Sequence, residues 1–110
     1  MNVTEYQKWT RETALYPEAN TGSVPELMYL SLGLAGEAAE IANKVKKLYR
    51  DGDSAEKRQA IQAEMGDVLW YLGRLAEVLD GDLAEILQAN QDKLMSRKDR
   101  GVLSGSGDNR

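Results

Sequence analysis

The chain has no cysteine, no histidine and no phenylalanine among its 110 residues, and only two prolines. Without cysteine there are no disulfides, no zinc–thiolate sites and no thiol nucleophile. Without histidine there is no imidazole base and no imidazole metal ligand, so any chemistry falls to carboxylates, lysines and hydroxyls. No apolar run approaches the roughly 20 residues that span a bilayer. The start, Met1-Asn2-Val3-Thr4-Glu5, lacks the basic and apolar regions of a signal peptide. A cytoplasmic protein with no membrane partner is expected. Net charge is −4, from 14 basic and 18 acidic residues, which disfavours nucleic acid as a partner.

What is present is helical. No stretch alternates with period two, no repeat occurs, and turn residues divide the chain into four segments. Thr4 is the expected N-cap of a first helix to about Leu15, with Gln7 completing a capping box. Pro17, Asn20, Gly22 and Ser23 form a loop, and Ser23 caps a second helix that runs to about Tyr49. Asp51-Gly52-Asp53 breaks the chain, and Ser54 starts a third helix that ends near Asp80-Gly81. Asp82 caps a fourth, Leu83 to about Arg97. The expected fold class is all-α, a four-helix bundle over residues 1–100, followed by a Gly/Ser-rich tail at 101–110.

Two acid pairs interrupt apolar helical sequence: Glu37-Ala38-Ala39-Glu40 and Glu64-Met65-Gly66-Asp67. Residues three apart share a helix face. The short turn makes the second and third helices antiparallel. The first pair lies about 11–14 residues before the turn and the second about 12–15 after it, so at ~1.5 Å per residue they come level. Solvated charge is the bland reading of any one such pair; two level pairs in apolar surroundings predict a single four-carboxylate cluster. Grouped carboxylates repel unless a cation sits among them, and Mg²⁺ is the hard, oxygen-seeking ion that also binds phosphates. Mn²⁺ is the expected substitute.

The pattern Glu-x-x-Glu, 23 residues, Glu-x-x-Asp resembles the all-α nucleoside triphosphate pyrophosphohydrolases, and the surrounding sequence resembles their short MazG-like members. The resemblance rests on Leu32-Gly33-Leu34-Ala35-Gly36-Glu37-Ala38-Ala39-Glu40, on Glu64-Met65-Gly66-Asp67-Val68-Leu69-Trp70-Tyr71-Leu72 and on Asn90-Gln91-Asp92-Lys93-Leu94. It implies hydrolysis of a nucleoside triphosphate, a dNTP by expectation, to the monophosphate and pyrophosphate. It implies Glu37, Glu40, Glu64 and Asp67 as Mg²⁺ ligands and catalytic residues. Lys44, Lys47, Asn90, Lys93 and Arg97 would contact phosphates and sugar, and Trp70, Trp9 and Gln7 the base. Many relatives carry a further Glu before the first motif where this chain has Gly36, so the expected base is a motif acid, Glu40 by choice, or else metal-bound hydroxide. Two other functions compete: a phosphoribosyl-ATP pyrophosphohydrolase-like enzyme and a non-catalytic helical interaction module.

Two expectations concern assembly and the tail. Leu27, Leu30, Leu34, Leu69, Leu72, Leu75, Val78 and Leu79 exceed what two helices need to close a small bundle, so a homo-oligomer is expected, a tetramer built as a dimer of dimers. Gly-Ser-Gly-Asp-Asn-Arg at the end of the tail packs donors and a cation into a flexible segment, with a lid over the site as its functional reading and a disordered terminus as the alternative.

Overall fold

The computed structural model describes residues 1–110 and contains α1 (Val3–Trp9), a 3₁₀ turn (Thr10–Thr13), α2 (Val24–Asp51), α3 (Ala55–Val78) and α4 (Leu83–Asp99), with no strand. The starts of α2, α3 and α4 fall at the expected caps. Ser23 Oγ accepts from the Glu26 N–H, Ser54 Oγ from the Lys57 N–H and Asp82 Oδ1 from the Ala84 N–H. Gly52 closes α2 at φ +103°, a conformation that L side chains rarely adopt, and so lets α3 fold straight back along α2.

The first helix differs from expectation. Asn2, not Thr4, is its cap: Asn2 Oδ1 accepts from the Glu5 N–H at 2.8 Å and the Glu5 carboxylate accepts from the Asn2 N–H at 3.3 Å. Thr4 instead turns its hydroxyl to Asp82. The α-helix stops at Trp9 rather than Leu15 because two hydroxyls compete for its carbonyls. Thr10 Oγ1 donates to Gln7 O at 2.6 Å and Thr13 Oγ1 to Thr10 O at 3.1 Å, and the chain tightens into a 3₁₀ turn.

The antiparallel α2–α3 hairpin is the body of the molecule. α1 and the 3₁₀ turn lie against α3, and α4 touches α1 and α3 but not α2. Tyr71 from α3 rests directly on the backbone of Gly33 in α2, where any Cβ would overlap its ring.

The interior holds charge where a small bundle normally holds leucine. Glu26 and Arg74 are both fully buried, with Arg74 Nη2 3.7 Å from Glu26 Oε2. Glu26 also accepts from Tyr16 Oη at 2.6 Å and from the N–H groups of Asn20 and Gly22 at 2.7 and 2.8 Å. Arg74 donates in turn to Tyr16, Thr10 and Asn20. The pair therefore fastens the 14–23 loop across the open end of the hairpin. Apolar burial is slight by comparison: Ala14, Leu30 and Ala76 are the buried hydrophobic residues, and of these only Leu30 is fully so. The radius of gyration is 16.8 Å, against ~13 Å for a compact chain of about this length.

Burial pushes the Glu26 carboxyl up, but hydrogen bonds from Tyr16, Asn20 and Gly22 and the Arg74 charge outweigh it, so its pKa lies below the usual value of 4.5. A carboxylate with a depressed folded-state pKa stabilises fully above its unfolded value and loses that contribution as pH falls through the folded one. Glu77, held by Gln7 and Arg11, acts with the same sign. Stability should therefore fall from about pH 4.5 downward. Glu26→Gln should cost about 3 kcal/mol at pH 7 by leaving Arg74 without a counter-charge, and should flatten the acid dependence. Urea unfolding at pH 7 and pH 3.5 checks both; an unchanged midpoint at pH 7 contradicts the role given to the pair.

Candidate active site

The hairpin holds one register along the face that carries the acids. Gly33 faces Tyr71, and one turn further along, Glu37 meets Glu64 and Asp67. A carboxylate oxygen from each of Glu37, Glu64 and Asp67 lies within 4.8 Å of the others. Glu40 is not in this group. It is exposed one turn along α2, close enough for its charge to act on Glu37. The expected four-carboxylate cluster is thus three convergent acids with the fourth beside them. Helix spacing alone does not decide convergence: Glu64 and Asp67, three apart on α3, converge on Glu37, whereas Glu40, three from Glu37 on α2, remains exposed outside the group.

Loss of surrounding water raises the Glu37 pKa, and so do the hydrogen bond shared with Glu64 and the charges of Asp67, Glu64 and Glu40. Such crowding is unfavourable for the protein alone and is relieved by a cation. Three carboxylates, all oxygen, suit a hard divalent ion. The residues present fit a divalent metal.

On one side of the acids lies an open cleft of about 450 Å³, lined by Trp9, Thr13, Glu37, Asp67, Trp70 and Tyr71. Trp70 Nε1 donates to Thr13 Oγ1 at 2.8 Å, and the Trp70 and Tyr71 rings meet edge to face with centroids 5.0 Å apart. On the other side, Lys44 Nζ lies 3.7 Å from Glu64, and Lys44 and Lys47 line a second cavity toward the hairpin turn. The acids lie between an aromatic cleft and a row of lysines.

Other sequence-selected residues lie elsewhere. Gln7 is buried and its amide is fully used inside the fold: Nε2 donates to Glu77 and to Gly81 O, and Oε1 accepts from the Leu83 N–H at 2.6 Å. It clamps the α3–α4 turn and does not line the cleft, so the expectation of a base contact is corrected. Asn90 and Lys93 are exposed on α4 and line neither cavity. Arg97 is buried, and its guanidinium donates to the Asp108 carbonyl in the tail. The tail curls around Arg110, which donates to the carbonyls of Val102, Leu103 and Gly107. Thr13 and Tyr71 were not selected from sequence as site residues. Thr13 shares a face of the first helical segment with Trp9, and Tyr71 follows the second acid pair by one turn; those spacings are the signal that could have found them.

The MazG nucleotide pyrophosphohydrolase domain family matches residues 27–102, a span that holds both acid pairs and α4. The chain belongs to this family. It is similar along its whole length to the Gene 37 protein of Mycobacterium phage L5, 53% identical over 114 aligned residues that cover 100% of both chains. It is also similar to protein YvdC of Bacillus subtilis (strain 168), 28% identical over 105 residues, covering 88% of this chain and 96% of the relative. No solved structure matches. The family supports nucleotide pyrophosphohydrolase activity with a divalent metal, and no helix is long and apolar enough to cross a membrane.

The Gly33–Tyr71 contact generates a prediction. Gly33→Ala should push the Tyr71 ring out of its seat, at about 1–3 kcal/mol of stability, and disturb the cleft wall next to Asp67. Its thermal midpoint should fall and its turnover should drop, whereas Gly36→Ala, where a Cβ meets nothing within 4 Å, should leave both near the native values. Equal behaviour of the two variants would contradict the contact.

Proposed function

We propose that the protein hydrolyses nucleoside triphosphates, dNTPs in particular, to the nucleoside monophosphate and pyrophosphate with Mg²⁺ as the metal. The observation that carries this reading is the convergence of Glu37, Glu64 and Asp67 between an aromatic cleft and a lysine-lined cavity. Nucleoside, α-phosphate and distal phosphates then have chemically matched surroundings in the order that the substrate has them.

Mg²⁺ held by Glu37, Glu64 and Asp67 would neutralise phosphate charge and orient the phosphate for in-line attack. The chain's own residues do the rest. Trp9, Trp70 and Tyr71 offer ring faces and edges to the base, and Thr13, fixed by Trp70, offers a hydroxyl oxygen to the sugar side. Lys44 and Lys47 meet the charge that develops on the departing pyrophosphate. Water attacks the α-phosphorus, the bond from that phosphorus to the α–β bridging oxygen breaks, and pyrophosphate leaves. Glu40, outside the convergent three, has a carboxylate free to take the proton from the attacking water.

The reading extends to assembly. Met1, Val3, Tyr6, Leu69, Leu72, Leu83 and Leu87 line an apolar groove of about 480 Å³ on the α1–α3–α4 side, in a chain with little buried hydrophobic surface of its own. We assign this groove to contact between copies in a tetramer. Asn90 and Lys93, distant from the cavities of their own chain, would then meet the site of a neighbour. A lid role for residues 101–110 would require Arg110 to release its three carbonyls.

Incubation of each common NTP and dNTP with Mg²⁺ tests the reaction. Monophosphate plus pyrophosphate is expected, and diphosphate plus orthophosphate as main products would overturn it. Glu37→Gln, Glu64→Gln and Asp67→Asn should each lower turnover by about a hundredfold or more. Mg²⁺ should raise the native melting temperature, and the rise should be lost in Asp67→Asn. Light scattering at micromolar concentration should give a mass near that of four chains of 12.2 kDa; an active monomer would contradict the shared groove.

A further inference from the structure

The lysine-lined cavity extends further from the acids than a triphosphate needs. Lys44, Lys47, Asp51, Lys57 and Ala60 line about 210 Å³ between the ends of α2 and α3. Its near end is fixed by Lys44, 3.7 Å from Glu64. At its far end, Lys57 Nζ donates to Gly52 O at 2.8 Å, at the hairpin turn. Ten residues separate Lys57 from Asp67 on α3, which at ~1.5 Å each is about 15 Å. That is more than the two phosphoanhydride links between an α- and a γ-phosphorus can cover.

The charge at that end is positive. Residues 44–58 carry six basic and three acidic side chains in a chain of net charge −4. The two acids nearest Lys57 have partners of their own: Asp51 is held by Arg50 at 2.8 Å and Asp53 by Arg58 at 2.6 Å. Neither Lys47 nor Lys57 forms an ion pair, although Asp51, which lines the same cavity, feels the charge of both; Lys57 is positioned by a backbone carbonyl that leaves two of its three N–H donors for a ligand. Three lysines and one carboxylate, Asp51, leave the cavity lining with an excess of positive charge that an anion would offset.

We propose that the Lys47–Lys57 end of this cavity is a second anion subsite, which takes the phosphates of a linear oligophosphate chain beyond the third. The inference rests on the reading of the acids as the α-phosphate position for its biological use, but the subsite itself stands on the cavity and its lysines. The ligand class is an oligophosphate of four or more phosphates, carried on a nucleoside or free. Its contact is electrostatic and hydrogen-bonding, and no bond is made or broken there.

The test is titration calorimetry of the native protein and of Lys57→Ala in EDTA, with ATP, adenosine 5′-tetraphosphate, inorganic tripolyphosphate and inorganic hexapolyphosphate as the four probes. The native protein should bind the tetraphosphate about tenfold more tightly than ATP, the scale of one added charge-assisted contact. Lys57→Ala should remove that difference and leave ATP binding unchanged. A gain only for the tetraphosphate over ATP assigns the site to nucleoside oligophosphates, and a gain only for the hexapolyphosphate over the tripolyphosphate assigns it to free chains. Equal affinity for long and short chains in both series, or a Lys57→Ala effect as large on ATP as on the tetraphosphate, overturns the subsite. A protein that releases no pyrophosphate from any nucleotide yet keeps the Lys57-dependent preference would refute the proposed reaction alone.

Discussion

The buried contact between Glu26 and Arg74 is the constraint on which the rest of the structure depends. An ion pair with no exposed surface is stable only when its remaining lone pairs and protons are satisfied, and here a tyrosine, two loop amides, a threonine and an asparagine satisfy them. Satisfying the pair is what gives the 14–23 loop its shape. It draws the 3₁₀ turn against α3 through Thr10, which brings Thr13 to Trp70. It also holds the hairpin at the end opposite Gly52, so that both ends of a long, thinly packed pair of helices are fixed. The register between them, and with it the meeting of Glu37 with Glu64 and Asp67, follows from those two ends and from the Tyr71 ring seated on Gly33.

Along that hairpin, the proposed function is arranged in one dimension. Aromatic rings, carboxylates and lysines follow one another from the buried ion pair to the turn, as base, reacting phosphate and distal phosphates do in a nucleotide. An apolar groove lies on the α1–α3–α4 side, where association between copies would not obstruct the polar track. Low apolar burial and a large radius of gyration are what the proposed assembly would explain, since association would complete the core.

Most of this fold was legible in the sequence because its signals are local. Ser23, Ser54 and Asp82 cap helices where short polar side chains precede apolar periods, and Gly52 stands where a left-handed residue must. The paired acids and the hairpin arithmetic put Glu37, Glu40, Glu64 and Asp67 at one level, because helix rise and turn length are fixed quantities, and three of the four converge. The failures are equally physical. Asn2 and Thr4 both fit a cap, and only the hydroxyl bonding of Thr10 and Thr13 decides where α1 ends. The resemblance pointed to Gln7 as a base contact, but its amide answers to Glu77, Gly81 and Leu83, seventy or more positions away. Glu26 occupies an ordinary first-turn position for a glutamate, and nothing near it in sequence announces Arg74. Long-range polar pairs leave no periodic trace, and buried charge is the feature that composition hides best.

The central claim is that attack occurs at the α-phosphorus, beside the three convergent carboxylates. Hydrolysis of a dNTP in ¹⁸O-labelled water with Mg²⁺, followed by phosphorus NMR, tests it directly, because attack at the α- and at the β-phosphorus gives the same two products with the label in different ones. The account predicts ¹⁸O in the nucleoside monophosphate and none in pyrophosphate. Label in pyrophosphate, or in released orthophosphate, would contradict it.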